Sequence, residues 1–291
     1  MGKAGIAIGK RSRYSMVIFP QNRYWWAMPT LLNAAQTGRQ QGSPRCPLSP
    51  RRKPGSSKNR YFWIPAFAGM TARKKLHKVR HKPRHAMMTD KYKNFAELAQ
   101  NEREDEDYTI LCREADSDIV IMAPHGGGIE PGTVDIADAL AGCDYAFYAF
   151  KGLKHKGNRM LHITSSAFDE PRGLQALQKA RIAIAIHGSG ETGKTVSIGG
   201  KNRALIQQFL QALRSAGFDA DISKQPGLMG MSPANICNRC KSKKGVQLEI
   251  SRGLREILFD NLDGRTLRRK TNRFYQFVNA LKKGLRREGS H

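Results

Sequence analysis

From Tyr108 onward the sequence predicts a single α/β layered domain, because short apolar, β-branched runs alternate with amphipathic helical stretches. Two further observations agree. The stretch 90–264 is close to neutral, whereas both ends of the chain are strongly basic. Two of the apolar runs, Ile119–Ala123 and Ile182–Ile186, each lead into a histidine followed by glycine, which gives the domain a chemical focus.

Residues 1–88 are rich in Arg, Lys, Pro, Gly and Ser, hold no acid and sustain neither a helical nor a strand period. They are expected to be a disordered basic extension. Within them Trp63–Thr71, WIPAFAGMT, resembles the peptide produced when a common bacterial intergenic repeat is translated in frame. That resemblance implies an over-extended gene start, with Met87 or Met88 as the initiator.

The domain proper is expected over 89–264. Tyr92–Asn101 carries Phe95 and Leu98 at helical spacing and predicts a short helix. Tyr108–Cys112 and Ile119–Ala123 predict strands, the second ended by Pro124. Pro131–Ala141 predicts a helix, with Pro131 near its start and Ile136, Ala137 and Leu140 on one face. Tyr145–Phe150, alternating aromatic and alanine, and Leu161–Thr164 predict strands. A helix is expected over Gly173–Lys179, then strands at Ile182–Ile186 and Val196–Ile198. Asn202–Ala216 is the clearest amphipathic helix: Leu205, Ile206, Phe209, Leu210 and Leu213 share a face, and Gly217 follows the last turn. Phe218–Ile222 and Val246–Ile250 predict strands, and Leu254–Phe259 and Arg273–Leu285 predict helices. Residues 265–291 are expected to be a basic C-terminal helix or tail.

The net charge of +26 invites a nucleic-acid partner, but its distribution argues against one. Residues 1–89 hold 19 Lys/Arg and no acid; residues 265–291 hold nine and a single acid, which leaves −1 for the middle. A nucleic-acid-binding domain is expected to carry its basic face on the folded part. No apolar run approaches the roughly 18 residues of a membrane span, and no signal peptide is evident. Five scattered cysteines do not suggest a disulfide framework and suit a reducing compartment. A cytoplasmic monomer is the expectation.

The chemistry gathers at Ile119–Glu130, IVIMAPHGGGIE, and Arg181–Gly188, RIAIAIHG. A strand end is a rigid mount, and three glycines let the backbone approach an ion or substrate without Cβ clashes. His125 and His187 at equivalent strand ends, with the loop carboxylate Glu130, make the His₂Glu set of hydrolytic zinc (Zn2+) sites, which leave a fourth position open. A single histidine of this kind would more commonly be a capped structural residue; two with a carboxylate point to metal.

Five segments carry a resemblance that spans roughly 105–260: HGGGIEPGT (His125–Thr133), LHITSSAFDEP (Leu161–Pro171), AIHG (Ala185–Gly188), NICNR (Asn235–Arg239) and GVQLEIS-x-GLR (Gly245–Arg255). In order and spacing they resemble the phage-encoded poly-γ-glutamate hydrolases and related prophage replication-protein-like sequences, relatives of the zinc carboxypeptidases. The resemblance implies a single open mixed-sheet α/β/α domain of zinc carboxypeptidase-like architecture. It further implies zinc on His125, Glu130 and His187, Glu249 as catalytic glutamate, and an anionic polymer or peptide as substrate. One departure from the carboxypeptidases proper is the four residues between His125 and Glu130, where those enzymes have two.

Beside the resemblance, Glu249 sits between Leu248 and Ile250 in an apolar strand, where an unpartnered carboxylate is costly to bury. Near a metal it could move the proton of a hydrolytic water; a solvent-facing strand glutamate is the alternative. A polymer of glutamates carries one free carboxylate per unit, which a guanidinium fork matches. Arg239 is the first candidate for that contact, with Asn235 four residues before it in NICNR, and Arg159 is the second. An ordinary surface ion pair is the bland alternative for either arginine. His162 could face the cleft, and His155 is expected in solvent.

One motif competes. Gly188–Thr195, GSGETGKT, matches the phosphate-binding loop G-x-x-x-x-G-K-[ST] and follows a strand. That loop needs a helix starting at its Lys-Thr, and here Lys194-Thr195 run into the β-branched VSIGG. A nucleotide-binding protein, or a phage replication or DNA-binding accessory, is therefore the second reading. Cys237-x-x-Cys240 is a single pair without partners at finger spacing and reads as incidental.

Overall fold

The computed structural model describes residues 90–286. The expectations for residues 1–88, including the WIPAFAGMT segment and the Met87/Met88 start, lie outside the described residues.

The chain enters through helix α1 (Phe95–Asn101), capped by the Asn94 side chain on the Glu97 amide, then strand β1 (Tyr108–Arg113). Strand β2 (Ile119–Gly127) is apolar on both faces, as a central parallel strand must be. Helix α2 (Thr133–Ala141) follows, with the turn residue Gly132 at φ 90° ahead of it. Next come strand β3 (Ala146–Gly152), a short 3₁₀ turn at Asn158–Leu161, and helix α3 (Pro171–Lys179). Strands β4 (Ile182–Ser189) and β5 (Thr195–Gly200) precede the amphipathic helix α4 (Arg203–Ser215) and strand β6 (Asp219–Ile222). Strand β7 (Val246–Ser251) runs directly into helix α5 (Arg252–Leu258). A small hairpin, β8 (Phe259–Asp260) and β9 (Arg269–Lys270), leads to helix α6 (Asn272–Arg286).

Seven strands form one open mixed sheet in the order β1-β3-β2-β4-β7-β5-β6. The four in the middle, β3, β2, β4 and β7, are parallel to one another, while β1 pairs antiparallel with β3 and β5 antiparallel with β7. Strand alternation splits the side chains between two cores. Ile119, Ile121, Ile182, Ile184, Ile186, Val246, Leu248 and Ile250 pack under α2, α4 and α6. Val120, Met122, Ala183, Tyr148 and Phe150 face the other way, beneath α1, α3 and the irregular segment 161–168. This is the expected α/β/α arrangement with an open sheet.

Two expectations fail locally. Leu161–Thr164 is not a strand: the 3₁₀ turn ends at Leu161 and irregular chain follows. Both edges of β2 and β4 in this region are already taken by sheet neighbours, and the Ile163 carbonyl goes to a side chain instead. The strand at Ile119 does not stop at Pro124 but runs to Gly127 through an irregularity, so His125 lies within β2.

The basic α6 is seated in the first core through Phe274, Phe277, Val278, Leu281 and Leu285, with its lysines and arginines outward. The Phe277 ring meets Phe218 edge to face at 5.1 Å. Phe277→Ala is expected to lower unfolding free energy by about 3–5 kcal/mol in a denaturant titration, the usual cost of emptying a buried phenyl site. A loss within about 0.5 kcal/mol, the ordinary range for a surface change, would show that α6 does not belong to the core.

Candidate metal centre

The ligand-bearing side chains converge at the carboxyl ends of the central parallel strands, where open α/β sheets bind their ligands. In β4, Ile182, Ile184 and Ile186 take the first core, so alternation turns His187 toward the second face. By the same rule His125, two residues after Ala123, would point into the first core, away from His187. It does not. Ala123 pairs with Ala149 but Gly126 pairs with Lys151, so β2 spends one extra residue against β3. This bulge, at a proline that has no amide to give the ladder, rotates His125 to the second face beside Ile163 and Phe168.

Glu130 is brought back by the glycine loop. Gly127 has φ +67°, and a Cβ on Gly128 would lie 2.4 Å from the Asn158 amide nitrogen, so the chain can close there only without side chains. The Glu130 amide donates to the His125 carbonyl (2.9 Å), which ties the carboxylate to the histidine by backbone.

The three functional groups meet in a buried cluster. His125 Nδ1 lies 3.1 Å from His187 Nδ1 and 3.2 Å from Glu130 Oε1, and Glu130 Oε2 lies 3.9 Å from His187 Nδ1. Two nitrogens each about 2.0–2.1 Å from a tetrahedral ion stand roughly 3.3 Å apart, so the spacing fits one small cation. The second nitrogen of His125, Nε2, faces the Ile163 carbonyl at 2.8 Å. A carbonyl only accepts, so Nε2 carries a proton there and Nδ1 is the nitrogen left to face a metal. His187 Nε2 stands 3.5 Å from the Ser165 hydroxyl, and the Gly188 amide donates to Glu130 Oε2 at 2.8 Å. His125, Glu130 and His187 thus form a metal-binding triad with its outer hydrogen bonds in place.

Charge reinforces this. Burial, then His125, lowers His187 to about 3, so it is neutral at neutral pH. Burial pushes Glu130 up, but His125 above all outweighs it and the carboxyl comes down to about 2. An ionised carboxylate buried beside the neutral His187 ring is the kind of environment that favours a divalent cation.

Glu249 lies in β7 directly across from His187 in the parallel register, on the same sheet face as Gln247. It is 8 % exposed, so the solvent-facing alternative does not hold. Gln247 donates to Glu249 Oε1 at 3.0 Å and to the Leu228 carbonyl, and accepts from Asn235 Nδ2 at 2.9 Å. Burial first, then the Glu130 charge, raises Glu249 to about 8.

The remaining candidates divide. His162 is at the triad: its ring centroid is 4.1 Å from that of His125, and its Nδ1 meets Asp90 Oδ1 at 2.6 Å. Burial, then His125, lowers it to about 4. Asn235 is buried and turned inward, capping the 3₁₀ turn Ile236–Arg239 and steadying Gln247. Arg239 gives one hydrogen bond to the Phe168 carbonyl (3.0 Å). Arg159 is exposed, with no side-chain partner among the described residues, on the turn that leads into His162. His155 is exposed.

The sequence did not single out Asp90, Gln247, Ser165 or Arg255. Asp90 is 72 positions from His162 and carries no pattern. Gln247 could have been found from its alternation with Glu249.

Lys194 and Thr195 do not open a helix: Thr195 begins β5, which pairs antiparallel with β7. The phosphate-loop reading therefore lacks the amide cradle it requires. Cys237 and Cys240 are both buried, and burial pushes the Cys237 thiol up to about 12, which makes it inert packing. No helix among the described residues is long and apolar enough to cross a membrane.

Fold and site together define an α/β protein with a metal-binding His–Glu–His triad at the carboxyl end of its parallel strands. A family model described as poly-gamma-glutamate hydrolase matches residues 92–280, and the chain belongs to that family. It is 38% identical over 195 residues to the UPF0714 protein YndL of Bacillus subtilis (strain 168), covering 66% of this chain and 76% of that protein. The SPbeta prophage-derived UPF0714 protein YoqZ of the same strain is 38% identical over 204 residues, 69% of this chain and 73% of that one. The solved structure of a bacteriophage poly-gamma-glutamate hydrolase superposes with TM-score 0.67 at 33% identity, covering 69% of this chain and 99% of that chain. YndL in a zinc-free apo form gives TM-score 0.65 at 37% identity with the same coverage.

His125→Ala and His187→Ala are each expected to abolish stoichiometric metal binding, since two remaining ligands are too few to hold the ion. Lys194→Ala, on the exposed loop, is expected to leave it unchanged. Metal analysis of the three purified variants checks this, and metal retained by both histidine variants would contradict the triad.

Proposed function

We propose that the chain is a zinc-dependent hydrolase that cleaves γ-glutamyl amide bonds of poly-γ-glutamate. One observation carries the reading: a buried His₂Glu set shares its sheet face with a second buried carboxylate, Glu249, in a member of the poly-gamma-glutamate hydrolase family. The ligand types and spacing suit zinc, and the zinc-free description of the YndL structure supports that choice. When bound, zinc supplies a Lewis acid for the amide carbonyl and makes water a competent nucleophile at neutral pH.

The protein's part is proton transfer and orientation. Glu249 takes a proton from the attacking water and delivers it to the departing amine, so the carbonyl carbon gains an oxygen as the C–N bond breaks. Burial, then the Glu130 charge, raises the metal-free Glu249 carboxyl to about 8, and a bound cation would draw it down toward the working pH, which suits a group that both accepts and donates. Gln247 fixes one Glu249 oxygen, and Asn235 fixes Gln247, so the carboxylate arrives oriented. Asn235 thereby acts on the substrate side through Gln247.

The substrate presents a free carboxylate on every unit. Arg239 spends one of its five donors on Phe168 and keeps the others for such a carboxylate. Arg159, exposed beside His162, is the second contact. His162, anchored by Asp90 and packed against His125, is a further substrate contact beside the triad.

Two glutamate variants separate the roles. Glu249→Gln is expected to keep fold and zinc while turnover of a γ-linked glutamate oligomer falls on the order of 10²–10⁴-fold. Glu130→Gln is expected to weaken zinc binding, because an amide oxygen is a poorer ligand than a carboxylate. Zinc content and turnover on γ- and α-linked oligomers, measured side by side, check both. Loss of zinc from Glu249→Gln, or equal cleavage of the α-linked oligomer, would contradict the assignment.

A further inference from the structure

Outside the triad, Arg255 on α5 is the most deeply buried charged side chain that has no ion pair among the described residues. It is 3 % exposed. A guanidinium so placed is costly unless its donors are satisfied. Its three acceptors are all backbone carbonyls: Ile250 from Nε at 3.1 Å, Pro131 from Nη1 at 2.8 Å and Ser189 from Nη2 at 2.8 Å. Pro131 follows Glu130, Ser189 stands two residues after His187, and Ile250 follows Glu249. One planar fork therefore grips the three chain segments that deliver two metal ligands and the second carboxylate.

The packing is specific to this fork. A Cβ on Gly188 would stand 2.6 Å from Arg255 Cζ, so the glycine after His187 makes room for the guanidinium plane. The Gly188 amide meanwhile donates to Glu130 Oε2. The ligand loop, the ligand strand and the fork are thus in mutual contact, and a shift in one is felt by the others.

We infer that Arg255 is the positioning residue of the metal centre: it holds Glu130, His187 and Glu249 in mutual register through the carbonyls beside them. It touches neither metal nor substrate. The inference rests on the proposed zinc-dependent reading of the same site. Side chains that orient ligands from outside typically change metal affinity by 10–100-fold when removed. Lysine keeps the charge but cannot reach three carbonyls as a planar fork.

The test uses the full chain loaded with zinc alone, with affinity read by competition against a chelator. Arg255→Lys and Gly188→Ala are compared with the parent. Gly188→Ala leaves Arg255 in place but pushes the flexible end of its side chain out of plane. Circular dichroism and thermal melting first establish that each variant folds; should Arg255→Lys not fold, Gly188→Ala decides. Folded variants that bind zinc about 10–100-fold more weakly, with lower kcat once saturated with zinc, support the positioning role. Folded variants with lowered melting temperature but parental zinc affinity would overturn it, because a purely structural arginine moves only the melt. A parent chain that binds no zinc would contradict the proposed function itself, and this inference with it.

Discussion

A carboxylate and two imidazole nitrogens, buried 3.1–3.9 Å from one another, are the constraint on which the rest depends. Glu130 is ionised, His187 is neutral, and His125 turns Nε2 to the Ile163 carbonyl so that Nδ1 faces the other two. Buried together, these ligand atoms make a site that favours a divalent cation. Nothing about the sheet's hydrophobic core requires this arrangement. The chain accepts it at the ends of strands whose interiors are as apolar as any in the structure.

The means of assembly are backbone devices. The bulge at Pro124–His125 turns one histidine to the face that alternation already gives the other. The glycine loop folds Glu130 back so closely that its amide reaches the His125 carbonyl. The Gly188 amide and the Arg255 fork then tie loop to strand. Each device fixes position through main-chain atoms, which move less than side chains. That suits a site whose ligand atoms must lie within a few tenths of an ångström of their places.

Much of this was legible in the sequence because the signals were periodic or local. The apolar β-branched runs at 119 and 182 start where the pattern put them but run on to Gly127 and Ser189, and the helix expected at 202–216 agrees within a residue at each end. The triad could be read because all three ligands sit beside strand ends marked by glycine. What could not be read is set by tertiary context. Ile163 lies in a segment that looks like a strand, yet β2 and β4 are already paired on both sides and its carbonyl serves His125. The bulge leaves no compositional mark beyond Pro124. Asp90, which holds His162 from 72 positions away, and Arg255, which holds carbonyls up to 124 positions away, answer to no local pattern at all. Glu249 was legible as a candidate, but its burial and its Gln247 partner belong to the fold.

The central claim is that one metal ion sits among His125, Glu130 and His187. X-ray absorption at the zinc edge of the zinc-loaded chain tests it most directly. The account predicts a first shell of nitrogen and oxygen at about 2.0–2.1 Å with the multiple-scattering signature of two imidazoles. A sulfur shell at about 2.3 Å would place the ion on Cys237 and Cys240 instead, and would contradict the account.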